Sequence, residues 1–189
     1  GRVTVGMGPI NANIFDTLTR MDVDFQLQPM LAESWEYIKE SETWQFHLRQ
    51  DVIFHDGRPF TAQAVVETMN RVVLSDSYAG ILKIGENSAI AVDEYTVEIR
   101  PTTPNLQLPG QIAHPIFGIR APGSDPFKGE HIGTGPFKFV SADSERDEIV
   151  LERFQDYYGG APDLPPVGAA CVDRVIFRVI PDATTRAAA

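Results

Sequence analysis

Cysteine is almost missing from this chain. Cys171 is the only one in 189 residues, which excludes an intramolecular disulfide and leaves the redox compartment open. Long apolar runs are missing too. No stretch approaches the 18 or more residues of a membrane span, and no export signal is visible. Positive charge is scarce: 16 Lys and Arg stand against 26 Asp and Glu, a net charge of -10. That balance repels phosphate and argues against nucleic acid as a partner. The four histidines, His47, His55, His114 and His131, are scattered, with no HExxH and no cysteine pair, so no metal site is expected. No serine or cysteine sits in a Gly-x-Ser-x-Gly elbow, and there is no internal repeat.

What is present is ordinary for a globular protein: 43% hydrophobic and 22% charged residues, long enough to bury a core without staples. Arg2 to Met7 reads as a short strand, Gly8 to Asn13 as a loop, and IFDTLTRM as a short helix or turn. AESWEYIKESETWQFHLR reads as a hairpin turning at KESE. In its second arm Trp44, Phe46 and Leu48 alternate with Gln45, His47 and Arg49, the period of a half-buried strand. His55-Asp56-Gly57 is a turn, and Gly57 accepts the positive φ it needs. Thr61 is placed to cap a helix from about Ala62 to Val73, with Val65, Met69 and Val72 on its apolar face.

AIAVDEYTVEIRP predicts a second hairpin. A two-residue Asp93-Glu94 loop would put Ile90, Val92, Tyr95, Val97 and Ile99 on one face, although Asp-Glu suits such a turn poorly and a longer loop is the alternative. LQLPGQIAHPIFGI reads as a helix and then an extended piece, GTGPFKFV as a strand entry, and EIVLERF as a strand. VDRVIFRVI is nearly continuous in apolar residues, as in a strand covered on both faces. PDATTRAAA opens like a helix with Asp182 as its cap and then stops, which reads as a fragment of a longer protein.

None of this makes a reactive centre. Neighbouring side chains on extended backbone diverge, so His55 and Asp56 are expected to form a turn and not a catalytic dyad. GTGP at Gly133 to Pro136 lacks the Gly-Lys-Ser/Thr ending of a phosphate loop and reads as a tight turn. Trp44 and Phe46 read as core. Tyr157 and Tyr158, beside glycines in a loop, are equally placed for core or ligand stacking. Cys171 reads as a small buried side chain. No catalytic residue and no cofactor are expected.

Four blocks in order carry a resemblance: PMLAESWEY, TWQFHLRQDVIFHDGRPFTAQAVV, GTGPFKF, and LERFQDYYGGAP followed by DRVIFRVIPDATTR. Together they resemble the extracellular solute-binding proteins of family 5, the dipeptide-, oligopeptide- and nickel-binding subunits of ABC importers. The resemblance implies an α/β fold: part of one lobe of the type 2 periplasmic-binding-protein kind, with an inserted α+β subdomain. Residues 1–21 would start the lobe I sheet, 22–132 would form the inserted subdomain, and 133–189 would return to lobe I with VDRVIFRVI as a central strand. The second lobe would lie outside this chain.

The implied function is binding a solute, peptides first, for uptake through ABC permease subunits, by a monomer in the periplasm or outside the cell, with a lipid anchor compatible. Nickel-chelate, sugar or opine uptake, or a ligand-sensing receptor domain, is the alternative; a hydrolase would need a nucleophile set in the missing half. By the family plan, Gly8, Pro9, Ile10, Asn11 and Asn13 are expected to face the ligand, since open α/β sheets bind at the carboxyl ends of their strands. If two lobes share the contacts of a roughly 1 μM complex evenly, one lobe alone keeps about -4 kcal/mol, near 1 mM. This chain alone is therefore expected to bind its solute barely or not at all.

Overall fold

The computed structural model describes residues 7–125, 128–143, 148–160 and 170–178. The first described element is helix α1, Met7–Ile14. Strands β1 (Thr19–Met21) and β2 (Leu27–Pro29) form a short antiparallel ribbon. Strands β3 (Ala32–Ile38) and β4 (Thr43–Leu48) make the expected hairpin, and β5 (Ala89–Ala91) and β6 (Thr96–Ile99) join it in the sheet order β3-β4-β6-β5. Between β4 and β5 run helices α2 (Ala62–Val73) and α3 (Asp76–Leu82). A one-turn helix α4 (Leu108–Gln111) and a 3-10 turn at Pro115–Phe117 follow β6. Strands β7 (Phe137–Asp143), β8 (Glu148–Arg153) and β9 (Arg174–Arg178) form a separate antiparallel sheet.

Burial divides these elements into two cores. The larger is built from residues between Leu18 and Ala121, with Phe46, Phe54, Phe60, Val65, Met69 and Ile99 at its centre. The smaller joins Ile10, Ile14 and Phe15, from α1 and the residue after it, to Phe137 and Leu151 of the β7-β8-β9 sheet. The chain therefore leaves its first helix, builds one body, and returns to cover the helix it left.

Four local expectations needed correcting; in IFDTLTRM, read as a short helix or turn, Thr19–Met21 is strand β1, held by pairing with β2. Gly8 to Asn13 is not a loop but most of α1. Pro9 sits in the first turn, where no backbone donor is needed. Ile10 and Ile14, four apart, share one buried stripe. The Asn13 amide donates back to the Pro9 carbonyl at 2.7 Å, so tertiary packing and a local bond overcome weak propensity. Of the strand expected over Arg2 to Met7, Met7 begins this helix and the rest lies outside the described residues.

The second hairpin pairs Ala91 with Val97 and Ala89 with Ile99. Val92 and Asp93 both donate to the Thr96 carbonyl, so the loop is the longer alternative. The register moves by one residue, which turns Ile90 and Val92 outward, 45% and 53% exposed, while Val97 and Ile99 stay buried. Finally, β9 is not covered on both faces. Val175 and Phe177 pack toward the smaller core, Ile176 is half-exposed, and among the described residues β9 lies at the edge of its sheet. Three apolar letters in a row imitated a buried strand, while the flanking Arg174 and Arg178 are exposed; Arg178 pairs with Glu148 across the sheet. The helix expected from Asp182 lies outside the described residues.

Helix α2 spans the residues its periodicity gave, with Ala62, Val65 and Met69 buried. Thr61 occupies the cap position in an extended conformation, but its hydroxyl makes no capping bond. Thr61→Ala is therefore expected to lower stability by less than about 0.5 kcal/mol, where a bonded cap is worth about 1. Urea unfolding measures it, and a loss near 1 kcal/mol would contradict the reading.

Candidate functional site

The His55-Asp56-Gly57 turn and GTGP, nearly eighty residues apart in sequence, are fastened to each other. The Gly133 N–H donates to His55 Nδ1 at 3.3 Å, and His55 Nε2 lies 2.9 Å from the Gly135 carbonyl. With Nδ1 accepting, Nε2 carries the proton and donates, so the bonds assign the neutral tautomer. The His55 amide also donates to the Gly133 carbonyl at 2.9 Å. Burial pulls the imidazole pKa down to about 4; the nearby Lys138 acts the same way, while the Gly135 bond and Asp56 oppose it. Asp56 faces away, accepting from the Arg58 amide and pairing with the Arg58 guanidinium at 2.7 Å. The pair is a corner and not a base with its orienting acid.

GTGP is more than a tight turn. The Gly135 amide donates to the Ile14 carbonyl at 2.9 Å, which satisfies the end of α1. With the Gly133 amide bound to His55, neither glycine leaves a donor for phosphate. A Cβ on Gly135 would stand 2.7 Å from the Asn13 carbonyl oxygen, and one on Gly133 would overlap the Ile14 carbonyl oxygen. Close backbone approach is what these positions require.

Beneath this contact lies Asp16. Only 4% exposed, it accepts a hydrogen bond from the Thr134 hydroxyl at 3.3 Å. Burial drives its pKa up from 3.8 to about 7, against the opposing pull of the Tyr158 and Thr134 hydroxyls, the Arg20 charge and the Tyr157 hydroxyl. Both tyrosines are held above their ordinary range, first by burial and then by the Asp16 charge. The Tyr158 hydroxyl approaches Asp16 closely enough to stabilise its anion, yet makes no hydrogen bond of good geometry and is cut off from solvent. Its ring packs against the larger core, with the Arg49 guanidinium 5.1 Å from its centroid.

Asp16, Asn13, Arg20, Tyr157 and Phe137 line a pocket of about 330 Å³ between α1, β1 and the head of β7, with Pro115 and Ala170 at its margins. That volume suits a small organic group. The pocket offers a guanidinium, amide and hydroxyl groups and one proton-holding carboxyl, with no imidazole or thiol among the described lining residues. Among the described lining residues, nothing pairs a nucleophile with a base.

Of the residues expected to face a ligand, Asn13 lines this pocket. Gly8 and Asn11 are half-buried, Pro9 is exposed, and Ile10 lies in the smaller core. Trp44 is half-buried against Tyr37, 5.2 Å between centroids, and Phe46 is fully buried, as core residues. Cys171 is exposed, against the expectation of burial, because it precedes an edge strand with little packed over it. His47 stays on its strand's polar face, 3.8 Å from Glu36. Sequence reasoning missed Asp16 and Arg20. The available signal was an aspartate enclosed by apolar neighbours in IFDTL, since an acid inside an apolar run is either buried or misread.

Comparison with known proteins decides the family. Residues 26–189 match the profile of the bacterial extracellular solute-binding proteins, family 5 Middle. The chain belongs to this family. It is 27% identical to the nickel-binding periplasmic protein of Escherichia coli K12, over 98% of this chain and 38% of that protein. It is 30% identical to the glutathione-binding protein GsiB of Pectobacterium atrosepticum, over 93% of this chain and 34% of that one. The chain thus spans little more than a third of these relatives. Among solved structures, NikA from Brucella suis in complex with Fe(III)-EDTA superposes with a TM-score of 0.82 at 26% identity, covering 99% of this chain and 37% of NikA. The fold is accordingly part of a type 2 periplasmic binding protein of family 5. Among the described residues, no helix is long and apolar enough to cross a membrane.

Proposed function

We propose that this chain forms part of the solute-binding subunit of an ABC importer, working outside the cytoplasmic membrane, with a lipid anchor compatible, and that its solutes are peptides. One observation carries the reading: the pocket beside α1 offers scattered polar groups on an apolar wall and, among the described residues, no reacting set. Such a surface suits holding a main-chain-like solute in place. The glutathione-binding relative supports a peptide, and the organic character of the lining supports it over a bare metal ion.

Residues 1–21 and 133–189 are proposed as lobe I and 22–132 as its inserted subdomain; the two separate cores support that division. Gly8, Pro9, Ile10, Asn11 and Asn13 remain proposed contacts, with Asn13 best placed. Its amide already serves the Pro9 carbonyl, so its oxygen is the atom left to accept from a solute. The mechanism is closure: a second lobe folds over a solute seated on this one, excludes water, and presents a closed shape to the permease. The protein acts as a monomer.

Mass spectrometry of small molecules released from the complete protein by heating tests this. Short peptides are the expected finding. A nickel chelate, favoured by the nickel-binding relative, would replace the solute class. Chemical turnover of an added peptide would overturn the binding reading altogether.

A further inference from the structure

Among the described residues, one cation in the pocket has no bonded partner and is answered only through space, by the Asp16 carboxyl. Arg20 lines it from β1, half-buried, and makes no hydrogen bond or ion pair among the described residues. Its neighbour Asp16 already takes the Thr134 hydroxyl and lies within the field of both tyrosine hydroxyls. Asn13 and Thr17, also in the lining, each donate to a backbone carbonyl, of Pro9 and Thr19 respectively. The guanidinium is the one full positive charge among the described lining residues. It is a planar fork of donors that matches a carboxylate with two parallel bonds.

We infer that Arg20 is a specificity residue that docks a carboxylate group of the solute, and that Asp16 couples this docking to uptake of a proton. The inference deepens the solute-binding reading and rests on it. An anion seated on Arg20 enters the field of Asp16. Two carboxylates sharing one buried site do not both stay ionised, so the arriving anion favours protonated Asp16. The groups facing Asp16 are Tyr157 and Tyr158 from the loop after β8, Thr134 from GTGP and Arg20 from β1. Both tyrosine hydroxyls keep their protons at neutral pH. Asp16 is thus the group in this cluster that titrates near neutrality, with its pKa at about 7. By linkage the carboxylate binds more tightly below that pH, by up to about tenfold between pH 8 and pH 6. An amine docking on ionised Asp16 would show the opposite trend and release a proton.

Sodium acetate is the probe, with sodium chloride at equal ionic strength as the control, and the 189-residue chain is observed by NMR through the Arg20 side-chain Nε–Hε signal. Acetate is expected to shift that signal saturably, with tighter binding at pH 6 than at pH 8. Arg20→Gln, checked for an unchanged amide spectrum elsewhere, should lose the saturable acetate shifts at Asn13 and Tyr157. In Asp16→Asn the affinity ratio between the two pH values should fall to about one. The inference is overturned if acetate shifts the pocket equally in Arg20→Gln, if only ethylammonium shifts it, if the pH trend survives in Asp16→Asn, or if acetate does nothing beyond chloride. None of these outcomes touches the solute-binding reading, which stands or falls with the molecules released from the complete protein.

Discussion

Gly133→Ala is expected to lower the stability of this protein by about 4 kcal/mol or more, the upper range for a single substitution. The added methyl would overlap the Ile14 carbonyl oxygen and stand 2.6 Å from Phe15 Cδ1. Rotation of a side chain cannot relieve the first clash, because the obstacle is backbone at the end of α1. Relief requires moving GTGP away, which breaks the Gly135 bond to Ile14 and the His55 bond to Gly133 together. For a chain of this size the loss corresponds to a melting point lower by about 8–16 °C. Gly110→Ala is the control, since a Cβ there meets nothing within 4 Å, and it should be neutral or slightly stabilising. Thermal unfolding by circular dichroism distinguishes them, and equal melting points would refute the close-approach reading.

The second large effect is hidden in the unaltered protein. Asp16 has its pKa raised from 3.8 to about 7, so the folded state holds a proton the unfolded chain gives up. Its contribution is complete below pH 3.8 and is lost as the pH rises through 7, a span of about 4 kcal/mol. His55 runs the other way. Its pKa falls from 6.5 to about 4, so its contribution is complete above pH 6.5 and is lost as the pH falls through 4, a span of about 3 kcal/mol. Between pH 4 and 6.5 the two slopes oppose and nearly cancel. Asp16→Asn should expose the His55 slope, with stability climbing by about 3 kcal/mol from pH 4 to 6.5. His55→Gln should expose the Asp16 slope, with stability dropping by a similar amount over the same range. Urea unfolding at several pH values measures both, and three parallel profiles would refute the assignment.

These two groups also mark the limits of reading this chain from its letters. The β3–β4 hairpin, the Gly57 turn and helix α2 were legible because each is fixed by residues close in sequence: alternation around Phe46, a glycine at positive φ, and Val65 and Met69 at helical spacing. The glycines of GTGP were visible, but their purpose was not, since the atoms they accommodate belong to Asn13 and Ile14. Helix α1 was misread because its stability comes from a sheet formed more than a hundred residues later. The slip at Ile90 turned on one extra loop residue, which composition does not report. The pocket was half legible. Asn13 and Tyr157 were singled out as loop residues, while Asp16 and Arg20 passed as ordinary members of a short helix or turn.

The return of the chain to its own first helix has a consequence during synthesis. The larger body, from Leu18 to Ala121, can close as soon as its last strand and turns leave the ribosome. Ile10 and Ile14 cannot complete their burial then, because Phe137 and Leu151 have yet to be made, although Phe15 already meets Gly118 and Arg120. At ordinary translation speeds of about 5–20 residues per second, the Ile10 and Ile14 face of α1 stays open for on the order of 10 s. Throughout that interval it is the natural handhold for a chaperone.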